Sequence, residues 1–160
     1  MKIKALALAA LTVFLVVAVP LAFAAEQTKE SYVAEVEPIC EANTKANEKI
    51  LKNVKSEVRA GKLAPAGASM TMAGKALKKT FTELGAVAQP AADSAKLTKW
   101  LGYVKSEAEL FEKGGKLLKA GQKAQAEQIV NKLTQNANIA NFEVISFGFR
   151  YCRFEPSKFL

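Results

Sequence analysis

The sequence predicts an all-α fold: an antiparallel up-down-up-down four-helix bundle whose C-terminal aromatic tail is strapped by one disulfide. Three observations predict it. Apolar residues recur at steps of three and four through four segments. Short links carrying glycine or proline separate those segments. The two cysteines, Cys40 and Cys152, lie near the start of the first segment and beyond the end of the last. An antiparallel bundle brings those places to the same end.

The first helix is expected over 29–60, with Val36, Cys40, Asn43, Asn47, Ile50 and Val54 on one face. Pro38 interrupts the pattern, so the regular helix should start or kink there. Gly61 supplies a left-handed cap, and Pro65 stands where helices stop. The second helix, 66–88, buries Ala73, Leu77, Phe81, Leu84 and Val87 or Ala88, and ends at Gln89-Pro90. The third, 92–120, is the most regular: Leu97, Leu101, Val104, Ala108, Phe111, Gly115 and Leu118, with Trp100 beside them. The fourth, 123–147, carries Ile129, Leu133, Ala137, Ala140, Val144 and Phe147, and Gly148 stops it. The tail is 148–160. A seam spacing near 3.5 residues favours near-parallel axes. The words VRAGKLAPA (58–66) and LKAGQKAQA (118–126) look alike, which is read as shared turn chemistry and not as a repeat.

The chain opens with Lys2 and Lys4 before an apolar run, then Pro20 and the small-x-small pattern Ala22-Phe23-Ala24. This is the form of a secretory signal peptide over 1–24, cleaved after Ala24; an uncleaved N-terminal membrane anchor is the alternative. Cleavage leaves one domain over 25–160 and, with two lysines gone, lowers the net charge from +8 to +6. An exported basic protein is drawn to anionic envelope polymer or a membrane surface, and nucleic acid is not expected as its partner. Export also lets a disulfide persist. Two cysteines allow one intramolecular pairing, with a free thiol or an intermolecular bridge as the other outcomes.

Histidine is absent, which removes the usual general base, the Ser-His and Cys-His pairs, and most zinc and haem ligation. No enzymatic activity, metal site or cofactor is expected. Met70 and Met72 offer only two thioethers and read as packing. Asn43 and Asn47 on the first helix, with Asn136 and Asn141 on the fourth, fall on or beside the seam. Buried amides need partners, so they are expected to satisfy one another as a polar core that sets register; the alternative is a pocket for a small ligand or cofactor between the helices. Lys55, Arg59, Lys62, Lys113, Lys116, Lys119 and Lys123 gather at the end opposite the cysteines, a candidate anion-binding end. Helix-end solvation of the same lysines is the plainer reading. Of the thirteen aromatic residues, six fall in the last twenty positions, and Phe149, Tyr151 and Phe154 are expected to form a lid over the open end of the bundle.

The words YVAEVEPIC (32–40) and FGFRYCRFEPSKF (147–159) resemble small exported proteins of no known activity from high-GC actinobacteria. The resemblance implies a secreted or envelope location and pairing of the two cysteine-bearing motifs. It carries over no catalytic or binding residue. The expected role is therefore an exported, non-enzymatic binding or structural component of the cell envelope or extracellular space.

Overall fold

The computed structural model describes residues 26–160; the expected signal peptide and its cleavage position lie outside the described residues. Among the described residues are five α-helices: α1 Lys29–Leu51, α2 Val54–Arg59, α3 Leu63–Gly85, α4 Ser94–Lys119 and α5 Lys123–Glu143. The four long ones form the antiparallel bundle, and no strand occurs among the described residues.

The first expected helix is two. Asn53 takes φ −102° and ψ −8°, and its carbonyl accepts from the Ser56 hydroxyl at 2.8 Å, so the chain resets before Val54. The reset lets Leu51 and Val54 both be buried. Pro38 neither starts nor breaks α1. Thr28 and Ser31 form a capping box that begins the helix at Lys29, and Tyr32 and Val36 are fully buried ahead of the proline. Pro38 and Ala34, one turn earlier, are exposed, so the carbonyl left without its donor faces water. Pro65 lies inside the first turn of α3 and does not end a helix, because no donor is needed there.

The two similar words close their turns alike. Gly61 and Gly121 both have φ +73°. The Lys62 and Gln122 amides donate back to the Glu57 and Leu117 carbonyls, the long bond of the Schellman motif.

The core positions expected of the third and fourth helices are all buried, although α5 stops at Glu143, short of the expected 147, so that Val144 and Phe147 lie beyond it, Phe147 in a 3-10 turn over Ile145–Phe147. On α3, Phe81 is only half-buried; the helix stops at Gly85, short of the expected 88, so Val87, half-buried, and Ala88, exposed, lie beyond it. Ala66, Gly67, Met70 and Gly74 add to the inner face of α3. There α3 and α4 approach most closely. A methyl on Gly67 would lie 2.5 Å from the Gly115 carbonyl oxygen, and one on Gly74 would lie 2.8 Å from that of Ala108.

Extensive helix contacts join α1 to α3, α3 to α4, and α4 to α5; α1 and α5 make almost none. The tail fills that open seam. Cys40 and Cys152 are bonded, with Cα atoms 5.0 Å apart. Glu37 accepts from the backbone N–H groups of Arg150 (2.7 Å) and Tyr151 (3.0 Å), tying the tail to α1. On the α5 side, Asn141 pairs both ways with the backbone of Phe154, its amide donating to the carbonyl and its oxygen accepting from the N–H, each at 2.9 Å. Further down, Lys55 donates to the Ser157 carbonyl at 3.1 Å.

The expected lid is thereby corrected. Phe149 does cover the end, stacked on Phe147 and against Trp100, while Phe147 meets Tyr32 edge-on. Tyr151 and Phe154 are half-buried members of the strap running along the bundle. The reason is the position of Cys40, eleven residues or about 16 Å into α1, which draws the chain off the end and into the groove.

Candidate functional site

Three cavities are lined by candidate site residues singled out in the sequence, one of them, of 460 Å³, beside Asn141 and Phe149; the other two gather several candidate side chains each. The first is at the basic end, between α2 and α5, with a volume of 380 Å³. Val54, Val58, Met70, Leu118, Ala126, Val130 and the tail's Leu160 supply its apolar wall. Lys55, Arg59 and Lys123 stand around it, with Glu127 as the one acidic lining residue, 3.9 Å from Lys123. Of the seven expected cations, then, three surround an apolar hollow. Lys62, Lys113, Lys116 and Lys119 are exposed and line no part of it.

Local sequence explains the arrangement. The break at Asn53 turns Val54 and Val58 inward, which leaves Lys55 and Arg59 at the edge. The second Schellman turn starts α5 at Lys123, so Ala126 and Val130, one and two turns on, face the same space. A hollow of this size and lining is typical of a small-molecule site, where apolar walls hold a body and a few polar groups orient it.

The second cavity, 80 Å³, lies between α1, α4 and the strap. The single polar core expected from four asparagines is divided. Asn47 donates to Asn43 at 3.3 Å within α1. Asn136 turns instead to α4, donating to the Tyr103 carbonyl at 3.0 Å and to Glu107 Oε2 at 2.6 Å. Asn141 is committed to the tail. The cause is the strap, which separates α1 from α5 and leaves each amide to find partners on its own side.

Glu107 is the residue that sequence reasoning missed. It is 1% exposed, and its Oε1 has no partner; Asn47 Oδ1 is likewise buried and unpartnered. Both residues line the small cavity. Burial pushes the Glu107 carboxyl up to about 7, opposed by the hydrogen bond from Asn136. Its position on α4, three residues after Val104 and four before Phe111, was the available signal: a glutamate on an apolar face.

A pH dependence follows. The folded state keeps the Glu107 proton up to about pH 7, whereas the ordinary value is 4.5. The stabilisation from this neutral acid is full below about pH 4.5 and is lost as pH rises through about 7. The difference is on the order of 3 kcal/mol. Urea melts of the wild type against Glu107→Gln should therefore diverge between pH 5 and pH 8, the glutamine variant gaining relative stability at the higher pH. Parallel pH profiles would refute a neutral, buried Glu107.

The remaining expected candidates separate. Met70 is buried and Met72 is 53% exposed, so the two thioethers do not converge. Among the described residues, no helix is long and apolar enough to cross a membrane. No protein-family model, curated protein or solved structure matches the chain.

Proposed function

We propose that this chain is an exported, non-enzymatic component of the cell envelope or extracellular space that docks on anionic membrane surface through its basic end. The observation that carries the reading is the 380 Å³ apolar cavity flanked by Lys55, Arg59 and Lys123. Charge alone would serve a polymer as well as a membrane. An apolar hollow behind the charge favours a partner with both an anionic head and a hydrocarbon chain. The leader-like N-terminus and the disulfide support an extracytoplasmic setting, and the lack of histidine supports a binding role.

Each basic residue at an anionic surface contributes about 1 kcal/mol. Arg59→Glu with Lys123→Glu should therefore weaken sedimentation with phosphatidylglycerol-containing vesicles at least about thirtyfold, with little binding to neutral vesicles in either protein. Unchanged vesicle affinity would defeat the proposal. Val130→Asn keeps the charge but wets the cavity wall. If it leaves vesicle binding intact while inorganic polyphosphate binds equally well, the partner is a polymer and the membrane reading fails. Phe142 and Ile145, each 73% exposed at the other end of α5, provide the control: replacing both by serine should leave vesicle binding unchanged.

A further inference from the structure

We infer that the hollow at the basic end is a binding site for one single-chain carboxylate, a free fatty acid of about a dozen carbons, and that Leu160 sets the chain length it takes. This rests on the reading of that end as a place for amphiphilic anions. It goes beyond it in naming a ligand held as a single molecule, away from any membrane.

The hollow is the unfilled foot of the seam that the tail occupies. α2 packs on α3 and makes almost no contact with α5. The strap covers the seam as far as its 3-10 turn, Pro156–Lys158, which rests on α5 and is tied to α2 by the hydrogen bond from Lys55 to the Ser157 carbonyl. Of the described tail, only Leu160 lines the space beyond that turn.

Burial gives the hollow a direction. Val54, Met70, Leu118 and Ala126 are buried and form its floor, whereas Val58, Val130 and Leu160 are half-buried and Lys55, Arg59 and Lys123 are exposed. The floor side chains carry no hydrogen-bonding group beyond the weak Met70 thioether, so water finds no side-chain partner there. A hydrocarbon chain therefore lies inward with its charged head at the mouth.

Charge and size narrow the class. Three cations against one acid leave the mouth positive. Lys123 is paired with Glu127 at 3.9 Å and Lys55 is held by Ser157, whereas Arg59 makes no ion pair among the described residues. A guanidinium takes a carboxylate through two parallel hydrogen bonds, which makes Arg59 the head contact. With a methylene taken as about the volume of a water, about 30 Å³, the 380 Å³ hollow holds about a dozen, one acyl chain and not the two of a phospholipid.

Calorimetry on the disulfide-bonded protein at pH 8, without vesicles, tests this with octanoate, dodecanoate and hexadecanoate below their micelle concentrations and dodecyltrimethylammonium as the comparison. Dodecanoate should bind saturably. Affinity should rise with length up to about dodecanoate, by up to about fourfold per methylene, and level off beyond it. Arg59→Gln should weaken dodecanoate about tenfold and leave the length dependence unchanged. Leu160→Ala should move the levelling-off to longer chains, and Leu160→Trp should weaken dodecanoate at least about tenfold; Val130→Asn carries the same expectation if the tryptophan disturbs the tail turn. Affinity that keeps rising through hexadecanoate, equal binding of dodecyltrimethylammonium, or full affinity in these wall variants would overturn the site. Vesicle sedimentation in parallel separates the two readings. Vesicle binding without dodecanoate binding overturns the fatty-acid site and leaves docking standing, whereas saturable dodecanoate binding without vesicle binding supports the site and overturns docking.

Discussion

Replacing both cysteines by alanine should cost about 4–5 kcal/mol, read as a shift in urea midpoint at constant slope. The bridge spans 112 positions, so its removal returns nearly the whole domain's loop-closure freedom to the unfolded chain. The folded state loses something further. The strap occupies the open seam between α1 and α5, and the bond anchors it between the Glu37 and Asn141 clasps. Without the bond those clasps remain, but each is a few hydrogen bonds at the surface, worth about 1 kcal/mol apiece. Tryptic cleavage at the exposed Arg150 and Arg153 should therefore accelerate in the variant before global unfolding does. A midpoint shift below about 1 kcal/mol, with no gain in cleavage, would mean that packing of the strap holds it without the bond.

The second large effect is expected at the crossing of α3 and α4. Gly67→Leu combined with Gly115→Leu should destabilise the bundle by roughly 4 kcal/mol, combining two overpacking costs near the middle of the ~1–3 kcal/mol range. A methyl on Gly115 would lie 2.6 Å from the Gly67 carbonyl oxygen and 2.8 Å from the Thr71 amide. On Gly67 it would meet the Lys119 amide at 2.9 Å as well as the Gly115 carbonyl. These neighbours are backbone, so no rotamer change relieves the clash; the helices must separate and break the contacts beneath. Gly102 is the internal comparison. It is exposed, and nothing lies within 4 Å of a methyl placed there. Gly102→Ala should raise stability by up to about 1 kcal/mol through helix propensity. Equal effects at the two places would contradict a close crossing.

These predictions draw unequally on what could be read in advance. The positions inside α4 and α5 were legible because apolar spacing reports a helix face directly, and the stops at Gly61 and Gly121 because positive φ favours glycine; Gly148 also has positive φ, but it ends the 3-10 turn Ile145–Phe147 after α5 has stopped at Glu143. The basic end was legible as a cluster, since helix hairpins bring chain-distant turns together. Which three cations would surround an apolar hollow was not, because that depended on the reset at Asn53, a local competition between a hydroxyl and the helix backbone. The asparagines were recognised as polar seam residues, but their partners were misassigned. Amide pairing is decided by which helices pack together, and α1 and α5 make almost no contact. Glu107 passed unnoticed for the same reason: exposure of one residue on a helix depends on what covers it.

Taken by itself, the sequence determined the helical bundle, its chain order, the turns and the pair of cysteines, all properties that local periodicity and backbone preference encode within a few residues. Only the tertiary structure decided that the fourth seam stays open for the tail, that glycines bring α3 and α4 together, and that Glu107 is buried with one oxygen unpartnered. Those outcomes are set by competition for the same buried space between segments distant in the chain, from 48 positions for Gly67 and Gly115 to 112 for the two cysteines, and no local pattern records which segment wins.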